Sequence, residues 1–176
     1  MNTQATKIGI YDVRDIANFT LDYAESKGLP ITNLSLQKLI YFLHGWFSAI
    51  YLQPLIKNKF EAWQYGPVQK VLYDQFRAFG NAKIKENRAK YLNPLTGNLE
   101  LRGYHIESDH ADLISIILDQ YLGRTASSLV TESHVEDGPW EYVWKQAEQS
   151  VYPGMKIPDE LIVDHFKRIP SKFTMQ

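Results

Sequence analysis

Hydrophobic positions along the chain recur mostly at the three-to-four-residue spacing of helices, and the pattern breaks at Gly, Pro and capping residues. Asp12 is placed to cap a first helix, with Asp15 in its first turn, where a carboxylate meets the positive end of the helix dipole. Val13, Ile16, Ala17 and Tyr23 keep helical spacing along it, and Gly28 and Pro30 stop it. A second helix runs from near Asn33 to about Tyr51. Leu36, Leu39, Ile40, Leu43, Phe47 and Ile50 form its apolar stripe, which Phe42, Trp46 and Ala49 widen to about half the circumference. A helix this apolar belongs at the centre of a fold. The narrow face left over carries Gln37, Tyr41, His44, Ser48 and Tyr51, which the helical period lines up on one side. Beside them, Gly45 lets another backbone come close.

Residues 59–65 alternate loosely. Phe60, Ala62 and Gln64 fall on one side and Glu61, Trp63 and Tyr65 on the other, which predicts a short strand or extended loop. Gly66-Pro67 breaks it, and Pro67 suits the first turn of a third helix bearing Val68, Val71, Leu72, Phe76 and Phe79 and ending at Gly80. Residues 81–108 are the least regular. Around the turn signals Asn93-Pro94 and Gly97-Asn98, residues 90–92 and 99–101 are expected to pair as a small hairpin. Further helices are expected from Asp109 to Gly123, from Thr125 around Leu129, from Pro139 to Tyr152-Pro153-Gly154, and from Pro158 to Pro170. The pattern predicts a mainly α, compact single-domain bundle of six to seven helices with at most a small β-hairpin.

Composition narrows the class. The 176 residues, 44% hydrophobic, supply one core and leave little room for a second domain. Lack of cysteine excludes disulfides, cysteine-ligated metals and a thiol nucleophile. Residues 1–10 lack the basic start and apolar run of a signal peptide. The longest apolar stretch, 39–52, is interrupted by His44 and Gly45 and is too short for a bilayer. A cytoplasmic protein without membrane contact is expected. Net charge is −1, but residues 1–88 carry +4 and residues 89–176 carry −5, so only a charged face, not the whole molecule, could select a charged partner.

Candidate chemistry is sparse. His105 and His110 flank Glu107 and Asp109, and His134 lies near Glu132, Glu136 and Asp137, but neither spacing matches a helical ligand pair. His165 sits among charges on the terminal helix, where solvation explains it. No metal or cofactor is expected. The chain has neither a G-x-S-x-G elbow nor a phosphate-binding glycine loop. A hydrolase using His44 with Tyr41, neighbours at helical spacing, is one alternative. A nucleic-acid binder using the 83–90 cluster is another: Lys83, Lys85, Arg88 and Lys90 with Tyr91 could meet phosphates, although Glu86 stands among them and no reader motif accompanies them. Tyrosine occurs 11 times, and Tyr41, Tyr51, Tyr65 and Tyr73 fall on polar faces, the placement favoured at binding surfaces. The stripe of Tyr41, His44, Ser48 and Tyr51 reads equally as an interaction surface or as a buried polar seam.

Three stretches together carry a resemblance: Leu34-Ser-Leu-Gln-Lys-Leu-Ile-Tyr-Phe-Leu-His-Gly45; Phe60-Glu-Ala-Trp-Gln-Tyr-Gly-Pro-Val68 with Leu72-Tyr73 and Phe76; and His134 with Gly138-Pro139-Trp140. In this order they resemble the SocA-like, or Panacea, antitoxin domain family, also labelled a phage-associated protein domain. The resemblance spans about Asp12 to Trp144. It implies a helical domain, taken as 12–152; residues 153–176 lie outside the resemblance and are expected to form a C-terminal helical extension packed on the same domain. It also implies an antitoxin that binds a cognate toxin protein encoded nearby, with no enzymatic activity. Some members carry an added DNA-binding segment, for which the residues before Asp12 leave no room. Tyr41, His44, Trp63 and Tyr65 are the expected partner-binding residues. Leu36, Leu39, Leu43 and Trp140 are expected to be structural. A homo-oligomer is compatible with the sequence.

Overall fold

A computed structural model describes residues 9–149, 155–170 and 173. The helix Asn33–Tyr51 (α2) is its axis, buried on all sides over residues 35–48. Thr32 caps it, its hydroxyl accepting from the Ser35 amide, and Leu52 ends it in the left-handed conformation at φ 54°. α1 (Val13–Ser26) precedes it. As expected, Asp12 caps α1 by accepting from the Arg14 amide, and Gly28 follows with φ 68°.

The remaining helices surround α2. They are α3 (Lys70–Phe76, extended by a 3-10 turn over Arg77–Phe79), α4 (Ser108–Tyr121), α5 (Ala126–Ser133), α6 (Pro139–Gln149) and α7 (Asp159–Arg168). Thr125 caps α5, as its position predicts. α4 begins one residue before the expected Asp109 cap. Glu107 takes the cap position without a side-chain bond, and Asp109 lies in the first turn. The expected stop at Tyr152-Pro153-Gly154 lies outside the described residues.

The β structure is richer than one hairpin. Strand β1 (Phe60–Trp63) lies between β2 (Gly66–Val68) and β5 (Lys156–Ile157), antiparallel to both. Ala62 pairs with Pro67 and Phe60 with Ile157. Gly66-Pro67-Val68 therefore pairs as a strand, and α3 starts only at Lys70. The expected hairpin forms from β3 (Tyr91–Leu92) and β4 (Leu99–Glu100). Along β1, Phe60 and Ala62 face the core and Glu61 and Trp63 lie half-exposed, as the alternation predicts, but Gln64, expected on the core side, is exposed because the strand has already given way to the turn.

α7 is held where the axis has no side chain. A Cβ on Gly45 would stand 2.3 Å from Phe166 on α7, so glycine lets that ring lie against the α2 backbone. Phe166 meets Tyr41, Phe42 and Trp46 there at centroid distances of 5.7, 6.3 and 5.1 Å. The seat is buried, so a methyl there forces the ring or the helix to shift. Gly45→Ala should therefore destabilise the protein by about 1–3 kcal/mol, the usual cost of overpacking, despite alanine's better helix propensity. Thermal and denaturant unfolding check this, and pairing Gly45→Ala with Phe166→Leu should recover part of the loss.

Candidate functional site

Three segments distant in sequence meet under the β1–β2 turn. Lys38 of α2 is fully buried, and its Nζ donates to the Pro67 carbonyl at 2.9 Å. Among the described residues no carboxylate neutralises it. Gly66 adopts φ 99°, and a Cβ there would lie 2.7 Å from Lys38 Nζ, 2.7 Å from Ser133 Oγ and 3.2 Å from His134 Nε2. Glycine is thus required twice: for a left-handed backbone and for the polar groups crowding over it. Burial without a counter-ion brings the Lys38 pKa down to about 7. Burial, followed by the nearby Lys38 charge, also lowers that of His134, whose Nε2 is buried with no hydrogen-bond partner among the described residues.

Polar bonds pin the hairpin on both sides of this cluster. Gln37 Oε1 accepts from the Gln69 amide at 2.8 Å, just past β2, and the Gln69 side chain donates to the Asn58 carbonyl at 3.1 Å, just before β1. Trp140 Nε1, at the start of α6, donates to the Trp63 carbonyl at 2.8 Å, and its ring lies 3.8 Å from that of His134. The turn is therefore bonded from α2 and α6, with Ser133 of α5 packed beneath Gly66. On its outer side Trp63 packs edge-on against Tyr73 at 4.8 Å and donates to Glu61 Oε2 at 2.9 Å. Tyr65, at the tip, is 61% exposed.

Two of the four expected partner-binding residues are interior. Tyr41 is enclosed by Phe42, Phe60 and Phe166 at 5.6, 5.4 and 5.7 Å, and burial raises its pKa. His44 is fully buried: its Nδ1 accepts from the Ile56 amide at 3.4 Å, and its Nε2 stands 3.4 Å from Asp159 Oδ1. The second Asp159 oxygen pairs with Lys59. Burial opposes ionisation of Asp159, but His44 and Lys59 outweigh it and hold its pKa below the ordinary carboxylate value. The seam joins α2, the segment leading into β1 and the start of α7. Tyr41 and His44 thus form a polar and aromatic seam instead of a partner face, because α7 and β1 cover that side of α2. The same enclosure leaves His44 of the Tyr41–His44 hydrolase alternative with no exposed surface, while Tyr41 lines a cavity with Tyr121, Glu132 and His165.

The other candidates also resolve into structure. Arg88 is drawn into pairs with Asp22 and Glu25 at 2.6 Å each, which leaves the 83–90 cluster with Lys83, Lys85 and Lys90 exposed. His110 Nδ1 bonds to the Tyr11 hydroxyl at 2.7 Å and its ring packs on Phe47 and Tyr51. Among the described residues no group of acidic and histidine side chains could hold a metal ion. The sequence reading missed the buried Lys38, Ser133 and Asp159. One signal was available: a polar stripe on a helix apolar around most of its girth is itself covered.

The family described as "Antitoxin SocA-like, Panacea domain" matches residues 36–141, which hold all three converging segments. Antitoxin SocA of Caulobacter vibrioides (strain NA1000 / CB15N) is 37% identical over 158 residues, covering 89% of this chain and 82% of that protein. No solved structure matches.

Lys38 leaves a signature in the pH dependence of stability. Its pKa falls from 10.5 unfolded to about 7 folded, so between these values the unfolded chain binds more protons. Stability should therefore rise with pH across that window, with a slope approaching about 1.4 kcal/mol per pH unit. Lys38→Met should lack that component. Urea midpoints of both proteins at neutral and alkaline pH measure the difference, and parallel profiles would contradict the buried, unpaired ammonium.

Proposed function

Since the chain belongs to the SocA-like antitoxin family that carries the Panacea domain, we propose that it neutralises a cognate toxin, encoded nearby, by direct protein–protein binding. In this reading it acts in the cytoplasm, needs no cofactor and breaks no covalent bond. The observation that carries the reading is the clamped β1–β2 turn. The family match covers every segment of the clamp, and the clamp presents Tyr65 to solvent on a backbone fixed at both ends.

A turn held this way loses little conformational entropy on binding, which favours affinity. Tyr65, with Trp63 packed on Tyr73 beside it, supplies the aromatic anchor on which interface energy concentrates. A contact of standard size would bury about 800 Å² on each partner. Tyr41 and His44 serve this face indirectly: they fix α7 and β1 against α2, and β1 carries the turn.

Co-expression tests the reading. A neighbouring open reading frame should arrest growth alone, and this chain should restore it. If no neighbour is both toxic and rescued, the reading fails. Protection should also titrate stoichiometrically, whereas full rescue by a small molar fraction of this chain would indicate turnover. Tyr65→Ala should weaken toxin binding by about tenfold to a hundredfold and leave the melting temperature unchanged. Loss of folding in parallel would instead make Tyr65 a core residue.

A further inference from the structure

A cleft of about 390 Å³ lies between α2, the end of α4, the end of α5 and α7, a volume within the range of small-molecule sites. Tyr41, Phe42, Trp46, Tyr121 and Phe166 give it a wall of five rings. Phe42 and Tyr121 stack at 4.5 Å, and Phe166 stands edge-on to Trp46 at 5.1 Å. Hydrogen bonds fix the wall: Trp46 Nε1 donates to the Tyr121 hydroxyl at 2.8 Å, and that hydroxyl donates to Glu132 at 3.2 Å. Two lining groups keep unused hydrogen-bonding capacity. Tyr41 is only 2% exposed, and its hydroxyl has no hydrogen-bond partner among the described residues. A hydroxyl so enclosed costs free energy unless a group in the cleft meets it. The His165 ring likewise has no hydrogen-bond partner among the described residues. Burial, and then the Arg168 charge, lowers its pKa, so the neutral imidazole offers a lone pair. The charges on the cleft are negative. Glu132 is balanced by Arg124 at 2.6 Å. Glu136 is exposed and forms no salt bridge among the described residues, and Lys145, whose charge it feels, pairs with Glu141 at 3.1 Å. Among the described residues no lysine or arginine lines the cleft.

We propose that this cleft binds an alkylguanidinium group. Aromatic faces attract a cation, and a guanidinium, planar and weakly hydrated, stacks on them where a strongly hydrated ammonium does not. Its N–H donors answer the acceptors on the cleft: the Tyr41 oxygen, the His165 nitrogen and the Glu136 carboxylate. Glu136 also supplies the opposite charge, and a charge-assisted bond of that kind is about twice as strong as a neutral one. An anion would meet two carboxylates and no lining cation. A purely apolar ligand would leave the Tyr41 hydroxyl and the imidazole unmet. The proposal does not rest on the toxin-binding reading, and its test uses no toxin.

Titration calorimetry of the full chain with N-butylguanidinium tests it, against N-butylurea, a neutral group of the same shape. The cation should saturate one site with a Kd of roughly 1 mM or below, within the ceiling for so small a ligand. The urea should bind about tenfold more weakly or worse. The Trp46 indole N–H resonance should shift along the same binding curve, since that group belongs to the wall. Glu136→Gln, at an exposed position, should weaken binding by about tenfold and leave the melting temperature unchanged. Tyr41→Phe keeps the ring, removes only the hydroxyl without a partner, and should weaken binding in a folded protein. Absence of saturation, equal binding of the urea, or a Kd indifferent to both substitutions overturns the proposal. Acetyl-arginine methylamide separates the two sources of the group. Tighter binding than butylguanidinium assigns the cleft to an arginine side chain of a bound protein, and weaker binding assigns it to a free guanidinium compound.

Discussion

A helix buried around its whole girth cannot leave its polar side chains to water. α2 carries Gln37, Lys38, His44 and Trp46 into the interior, and a buried polar group without a partner costs about 1–3 kcal/mol. Three segments meet them: residues 67–69 bond Gln37 through the Gln69 amide and Lys38 through the Pro67 carbonyl, the Ile56 amide donates to His44, and the Tyr121 hydroxyl accepts from Trp46. These bonds decide which pieces of chain lie against the axis and in what register. Apolar packing alone would tolerate small slips.

The hairpin shows how this constraint reaches the surface. β1 and β2 are short, and two strands of that length hold poorly by themselves. Their order comes from Lys38, Gln37 and Trp140 gripping three successive points of the turn, and from β5 pairing along the other edge of β1. A lysine is a costly grip, because its ammonium gives up water for a single carbonyl and no opposite charge. Buried charges retained on such terms often fix a register or a conformation more than they add stability. Here the conformation fixed is a left-handed glycine beneath an exposed tyrosine. Pre-organisation of that kind is what the proposed toxin contact would draw on.

The histidines make the same point from the chemical side. A histidine near an aspartate, as His44 is to Asp159, has the elements of acid–base catalysis, but both are covered by α7 and β1. His134 is closer to the surface, yet Trp140 stacks on it and Lys38 charges its surroundings. In each case the imidazole joins elements of the fold.

Much of this was legible in the sequence. The bounds of α2, from near Asn33 to about Tyr51, follow from a long apolar stripe and its periodicity. Asp12 and Thr125 mark their helices because a side-chain oxygen must satisfy free amides at a helix start. The 91–100 hairpin follows from its turn residues, and the outward phase of Trp63 and Tyr65 from simple alternation. What the sequence left undecided was which surface each face would meet. Pro67 reads as the first turn of a helix, and only pairing with β1 makes Gly66-Pro67-Val68 a strand. The stripe of Tyr41 and His44 could face a partner or the core, since helical periodicity shows which residues share a side but not what covers it. The cover is α7, far along the chain and seated through Gly45, and long-range packing of that kind exists only in three dimensions.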